Sequence, residues 1–358
     1  MISRGPALVG CIGLLAGIAW SLGGCPFFGQ EEQGTGASPK VLHYFTWSDY
    51  VSQDLIAEFE RQEGAQVVVD TFSSNEELLA KLQTGASGYD VAVPSDFMVA
   101  IMIRLGLLAE LSPDRVPNLD LVEPHLQDLS FDPGNRYSVP YLWGTVGIGY
   151  DEAHFPDAPD SWAVLWESRY RGRISMLNDQ REVFGAVFRL MGISMNQVDP
   201  LAIERAKDKL IAQKPLVKAY TSDHYDQLLA AGEVVLAHGW VGPMVRARAD
   251  RPSIRYTVPR EGGTIWADCL VVLKSSRQPD LAHRFINFLL ETRVSARTAE
   301  RLFFAPANRL AKDQVRPDLR QDKGIFPAPS LLQGLEWMTD VGEAIRLYDR
   351  AWTELKMT

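Results

Sequence analysis

Residues 41–72, VLHYFTWSDYVSQDLIAEFERQEGAQVVVDTF, carry one full round of an alternating pattern. Val41–Phe45 reads as a strand, Gln53–Gln62 as an amphipathic helix and Gln66–Phe72 as a strand again, which marks an α/β chain. The alternation continues outward from there. Ser74-Asn75-Glu76-Glu77 has capping-box spacing ahead of Leu78, Leu79 and Leu82, and Gly85 is expected to close that helix. Asp90–Pro94 then reads as a buried strand and Phe97–Leu105 as a helix. Further strands are expected at Thr145–Tyr150, Arg173–Leu177, Val217–Tyr220, Val234–His238 and Ile254–Val258, with helices between them. Gly262-Gly263 precedes an apolar strand at Cys269–Leu273, a long helix runs from Pro279 to about Arg301, and Leu331–Leu355 reads as two more helices. Gly144, Gly147 and Gly149 are spaced in the reverse of a dinucleotide loop and mark a glycine-rich crossing strand.

Composition sets the limits. A chain of 358 residues, 46% hydrophobic and 23% charged, buries a large core and is too long for one comfortable unit, so two lobes are expected. The net charge of −9 argues against a nucleic-acid partner or an anionic lipid surface, since either needs clustered Lys and Arg; a cationic ligand remains open. Cys11, Cys25 and Cys269 build neither a disulfide framework nor a thiolate zinc cage. Residues 1–25 hold one charge, Arg4, and an apolar run from Ala7 to Leu22, the layout of a bacterial export signal. The run ends Leu22-Gly23-Gly24-Cys25, which resembles a lipobox and makes Cys25 the expected lipidation site; an ordinary secretory signal and an uncleaved anchor are the other readings. Residues 26–40, with Gln30, Gly34, Gly36 and Ser38, look like a flexible tether, so the folded part is expected outside the cytoplasm and tied to a membrane.

No His-Glu-x-x-His, P-loop, Gly-x-Ser-x-Gly or Cys-x-x-Cys occurs, and the six histidines lack ligand spacing, so neither an enzyme nor a metal site is expected. The one acid/base pairing to weigh is Asp179 with Glu182, which as a glycosidase reading lacks any supporting nucleophile or oxyanion hole. What the chain does have is aromatics beside acids at strand ends. Trp47-Ser48-Asp49-Tyr50 follows the first strand, Ser95-Asp96-Phe97 follows Asp90–Pro94, and Asp179 through Glu182 follows Arg173–Leu177. Trp240 follows Val234–His238, and Trp266-Ala267-Asp268 leads into Cys269–Leu273. Ligands of open α/β sheets bind outside the carboxyl ends of strands, so these residues can meet in one crevice. Ring faces attract a desolvated cation and cover methylenes while carboxylates accept from amine ends, which is chemistry suited to an alkyl-ammonium ligand.

From about Leu42 to Leu355 the chain resembles the spermidine/putrescine-binding periplasmic proteins of bacterial polyamine ABC transporters. The motifs that carry the resemblance are Trp47 through Tyr50, Tyr89 through Ser95, Val139 through Gly144, Asp179 through Phe184, Gly262 through Asp268 and Ile286 through Leu290. It implies a two-lobed type II periplasmic-binding-protein-like α/β fold, with two crossover strands and a ligand cleft between lobes. Residues 41–145 plus 264–311 would form one lobe and 146–263 plus 312–358 the other. It implies an aromatic box of Trp47, Tyr50, Trp240 and Trp266, acids at Asp49, Asp179, Glu182 and Asp268, and further pocket positions at Ser48 and Ser95. Phe97 and Phe304 stand where the family has tyrosines, and Met338 where it has a glutamine, so amine register is expected to be held less strictly than amine charge. Asp96, where the family has an uncharged residue, is either a fifth acid or a solvent-facing residue, and the second is expected. No cofactor is expected. The implied receptor is a monomer that captures a polyamine and hands it to an inner-membrane ABC permease; a same-fold receptor for another small organic cation or solute, such as a sugar or chelated metal, is the alternative.

Overall fold

The computed structural model describes residues 40–84 and 88–358. The expected leader, tether, Cys25 and the closing Gly85 lie outside these. Among the described residues eleven strands join one sheet: β1 Lys40–Trp47, β2 Ala65–Phe72, β3 Val91–Ala92, β4 Ser138–Asp151, β5 Ile174–Met176, β6 Val217–Tyr220, β7 Leu236–Trp240, β8 Ile254–Thr257, β9 Thr264–Val272, β10 Ala305–Pro306 and β11 Glu336–Trp337. The main path runs β2-β1-β3-β9-β4-β7-β5-β6, with β8 and β10 on β4 and β11 on β9. β1, β2 and β3 are parallel, as are β5, β6 and β7, while β9 and β4 are antiparallel to their neighbours along this path. The helices are α1 Gln53–Glu63, α2 Asn75–Gln83, α3 Asp96–Arg104, α4 Gln180–Leu190, α5 Pro200–Gln213, α6 Tyr225–Ala230, α7 Val241–Arg246, α8 Pro279–Leu289, α9 Thr292–Leu302, α10 Pro317–Arg320, α11 Pro329–Leu332 and α12 Ile345–Met357.

Two hydrophobic cores flank the β4–β9 pair. Leu42, Phe45, Phe59, Phe72 and Phe285 lie in the first, which also takes in Val315, Leu319 and Ile325; Ile148, Trp162, Phe184, Phe188 and Tyr348 lie in the second. β4 gives Val139 and Tyr141–Trp143 to the first core and Val146, Ile148 and Tyr150 to the second, and β9 gives Trp266 to the second and Ile265, Ala267 and Cys269–Val272 to the first. These are the two crossover strands of a two-lobed α/β binding-protein fold.

Local chemistry sets most boundaries. Ser74 Oγ accepts the Glu77 N–H at 3.1 Å to start α2, and Glu77 Oε2 accepts in return from the Ser73 N–H at 2.8 Å, one residue earlier than a strict capping box. Gly64 closes α1 with φ +60°, a left-handed turn that carries little penalty in glycine. Two expectations fail. The single helix from Pro279 is broken after Leu289, because Asn308 Nδ2 donates to the Leu290 carbonyl at 2.7 Å and the chain restarts as α9. In the tail only α12 is a long helix; Glu336–Trp337 is instead drawn into the sheet beside Thr264–Ile265, with Arg189 paired to the Glu336 carboxylate. β4 also runs on through Ser138–Asp151 as one strand with all its residues buried.

The glycines of β4 permit close approach. A Cβ at Gly147 would clash with the Thr257 carbonyl oxygen, which the β4–β8 ladder holds in place, whereas one at Gly149 would clash with the thioether end of the Met244 side chain, which has rotatable bonds to yield. Gly147→Ala is therefore expected to destabilise by about 1–3 kcal/mol, and Gly149→Ala by less, in urea titrations followed by circular dichroism. Equal losses would show that the Thr257 carbonyl yields as readily as a methionine side chain.

Candidate ligand cleft

The side chains singled out in the sequence sit where strands end or cross. β1 leads into a short helical turn at Ser48–Tyr50, β3 into Ser95 and α3, β5 into Asp179 at the start of α4, and β7 into Trp240 at the start of α7. Trp266 and Asp268, two apart on β9, share one face of the strand. Asp268 is the meeting point. Its Oδ1 accepts from Ser95 Oγ at 2.7 Å and its Oδ2 from the Tyr50 hydroxyl at 2.5 Å. Asn75 orients Ser95 from both sides, with Nδ2 donating to Ser95 Oγ at 3.1 Å and Oδ1 accepting the Ser95 N–H at 3.0 Å. Over this group the Trp266 ring meets Phe304 edge-on at 4.9 Å, and Phe304 lies 6.4 Å from Tyr50. Space for those rings depends on missing side chains: a Cβ on Gly144 would stand 2.7 Å from Trp266, and one on Gly242 would stand 2.5 Å from Phe304.

A second acidic group comes from α4. Asp179 caps the helix, its Oδ1 accepting the N–H groups of Arg181 at 2.9 Å and Glu182 at 3.1 Å. Glu182 is buried and accepts from Thr264 Oγ1 at 2.5 Å. Burial raises the Asp179 carboxyl, and burial with the neighbouring Asp179 raises that of Glu182. Arg181 offsets this only weakly, because its guanidinium donates to the Thr339 carbonyl at 3.1 Å and to Asn196 Oδ1 at 3.0 Å. Burial lifts Asp268 to about 6 against the downward pull of Tyr50 and Ser95. Among the described residues, no basic side chain forms an ion pair with Asp96, Asp179, Glu182 or Asp268.

Asp96 corrects the sequence reading. It does not face solvent: it is 1% exposed, with Oδ1 on the Phe97 N–H at 2.6 Å and Oδ2 on the Ala267 N–H at 3.2 Å. The cause is the docking of the α3 start on β9, which no local pattern records. Burial, with Asp268 adding less, lifts its carboxyl to about 8.

The other expected residues are placed differently. Asp49 is exposed and faces Arg246 Nη1 at 3.6 Å, and Arg246 Nη2 also holds Asp226 at 3.0 Å. Ser48 is exposed, Phe97 is half-buried and Met338 is buried. Trp47 stacks at a tilt on Phe72 at 4.6 Å, and Trp240 on Tyr225 at 6.1 Å. Asn75 and Thr264, which orient Ser95 and Glu182, went unrecognised as site residues. Asn75 lay inside the capping box and Thr264 inside the Gly262–Asp268 motif, but only contacts across the fold give them this work.

With that geometry in hand, the comparisons decide the family. The family model for bacterial extracellular solute-binding proteins matches residues 54–327. The chain belongs to that family. This solute-binding protein is 33% identical over 339 residues to the putrescine/cadaverine-binding protein of Pseudomonas aeruginosa, covering 91% of this chain and 95% of the relative. It is 34% identical over 318 residues to the spermidine/putrescine-binding periplasmic protein of Escherichia coli, covering 88% and 91%. The crystal structure of the TpPotD lipoprotein of Treponema pallidum superposes with a TM-score of 0.81 at 31% identity, covering 89% of this chain and all of that one, 100%. The family is one of receptors that bind solutes rather than transform them. Among the described residues of this binding protein, no helix is long and apolar enough to cross a membrane.

The buried acids link stability to pH. A carboxyl whose folded pKa is raised stabilises the fold fully below its unfolded value near 4 and loses that contribution as pH rises through the folded one. Asp96, at about 8, and the raised Asp179 and Glu182 all act in this direction. His125 and His238, both lowered by burial, oppose the trend, but only up to their ordinary value of 6.5. The ligand-free solute-binding protein is therefore expected to lose thermal stability between about pH 6.5 and about pH 8.5 in calorimetric scans. A midpoint that rises across that window would mean these carboxyls are already ionised at its lower end.

Proposed function

We propose that the cleft binds a polyamine of the putrescine–spermidine class in its fully protonated form and delivers it to an ABC permease. The observation that carries this reading is the buried carboxyls of Glu182 and Asp268, with half-buried Asp179 beside Glu182, none of them in an ion pair with a basic side chain among the described residues, next to the ring pair Trp266 and Phe304. Ammonium ends would satisfy the carboxylates and methylenes would lie along the rings. The ligands named for the relatives are of the same chemistry. Asp268 would anchor one amine and Glu182 with Asp179 the other, while Trp47, Tyr50, Trp240, Trp266, Phe97 and Phe304 would wall the chain and Ser48, Asp49, Ser95 and Met338 would line its ends.

The lobes would be residues 41–145 with 264–311, and 146–263 with 312–358 except for the stretch around Val315, Leu319 and Ile325, whose side chains pack in the first core. Ligand held by both lobes favours the closed arrangement, the usual logic of such receptors. Cys25 would carry the lipid that holds a monomeric receptor at the outer face of the membrane.

Asp268→Asn is expected to weaken putrescine or spermidine binding by about 2–5 kcal/mol, because it leaves an ammonium unpaired in a buried site. Trp266→Ala is expected to cost about 1–3 kcal/mol through lost ring contact and cation–π attraction. Titration calorimetry on both variants checks this, and affinities close to the parent in both would move the site elsewhere. If instead neither amine binds the parent protein while mass spectrometry of the purified protein finds a different organic cation, the fold assignment stands and the ligand assignment falls.

A further inference from the structure

Nothing in the proposed amine box uses Asp96. Its position is unusual for an acid. It is the first residue of α3, it is 1% exposed, and its two oxygens accept from two different elements, the Phe97 N–H of its own helix and the Ala267 N–H of β9. Ala267 stands between Trp266 and Asp268, so this hydrogen bond holds the backbone from which both side chains project. The preceding residue strengthens the tie, since Ser95 both bridges to Asp268 along the backbone and donates to its carboxylate at 2.7 Å.

The titratable groups that act on Asp96 from the elements around it are Asp268 and Cys269 on β9 and Glu182 on α4. Two are acids and the third is a thiol that burial keeps protonated, so no positive charge faces Asp96 from these elements. An acid placed among acids in a dry site keeps its proton until a cation arrives.

We propose that Asp96 is a positioning residue for the Trp266–Asp268 segment whose carboxyl gives up its proton when an ammonium ligand enters, so that ligand capture is coupled to proton release. This rests on the amine reading of the cleft. The charge balances: one ammonium enters already protonated, one carboxyl proton leaves to bulk water, and the net charge of the site is unchanged. The elevated carboxyl, at about 8 in the free protein, agrees with this arrangement, and the paired N–H donors ready the same group for the ionised form.

The coupling separates Asp96 from a residue that is only structural. Below its folded pKa the free protein must spend binding energy on ionising Asp96, whereas above it the carboxylate is already present. With putrescine as probe, parent and Asp96→Asn affinities are expected to converge near about pH 6, and to differ by about tenfold near about pH 8.5 if the ligand lowers the carboxyl by about one unit. Calorimetry in buffers of different ionisation heat is expected to show fewer protons released by the variant near about pH 7. Because Asp96→Asn can fail to fold, the parent protein supplies a second readout. The amide resonance of Ala267 is expected to titrate in the free protein and to shift its midpoint downward when putrescine is added. A parent-to-variant affinity ratio that is constant with pH, or an Ala267 amide that does not titrate, overturns this proposal alone. A parent that binds neither putrescine nor spermidine at any pH overturns the amine reading and this proposal together.

Discussion

β4 and β9 run side by side from Ser138 opposite Val271 to Thr145 opposite Ile265, and every residue of both strands is buried. A strand pair covered on both faces offers no water to a polar side chain, so each polar group on it must find its partners in the protein or in a ligand. Asp268 is such a group. It gathers Tyr50 from the turn after β1, Ser95 from the end of β3 and, through Ser95, Asn75 from the start of α2. Segments far apart in the chain converge because one buried carboxylate needs donors. Trp266 uses the same face of the strand, and its ring fits only because Gly144 opposite carries no side chain.

Asp96, Glu182 and Asp268 differ from the acids that only hold the fold in how many of their acceptor positions are filled. A carboxylate offers about four acceptor positions. Asp132 fills them with the N–H groups of Arg136, Tyr137 and Ser138 and the Ser138 hydroxyl, which pins the entry to β4. Asp90 does likewise with the N–H groups of His43, Arg277 and Gln278 and the Ser276 hydroxyl. Glu182 accepts one hydrogen bond, from Thr264, and Asp268 and Asp96 accept two each. Asp132 and Asp90 are saturated, whereas Glu182, Asp268 and Asp96 have acceptor capacity left. Leaving it unused is unfavourable unless a proton or a cation supplies the missing partner. Exposed Asp49, which shares Arg246 with the buried Asp226, shows the other way an acid settles its charge, and it stands apart from the buried set for that reason.

How much of this was legible depended on the range over which each cause acts. The amino-acid sequence by itself determined the alternation of strands and helices, the helix start at Ser74, the glycine-rich crossing strand and the placing of Trp47, Ser95, Asp179 and Trp240 at or just beyond strand ends, because each rests on neighbours within a few residues. The resemblance in its motifs carried the two-lobed fold. Only the tertiary structure decided that Asp96 is buried, that Asp49 is paired, that the helix after Pro279 breaks at Leu290 and that Glu336–Trp337 is a strand. Those outcomes turn on partners such as Ala267 for Asp96, 171 residues away, and Asn308 for Leu290. Burial and pairing are set by what packs on a residue, and local periodicity carries no record of which distant segment that is.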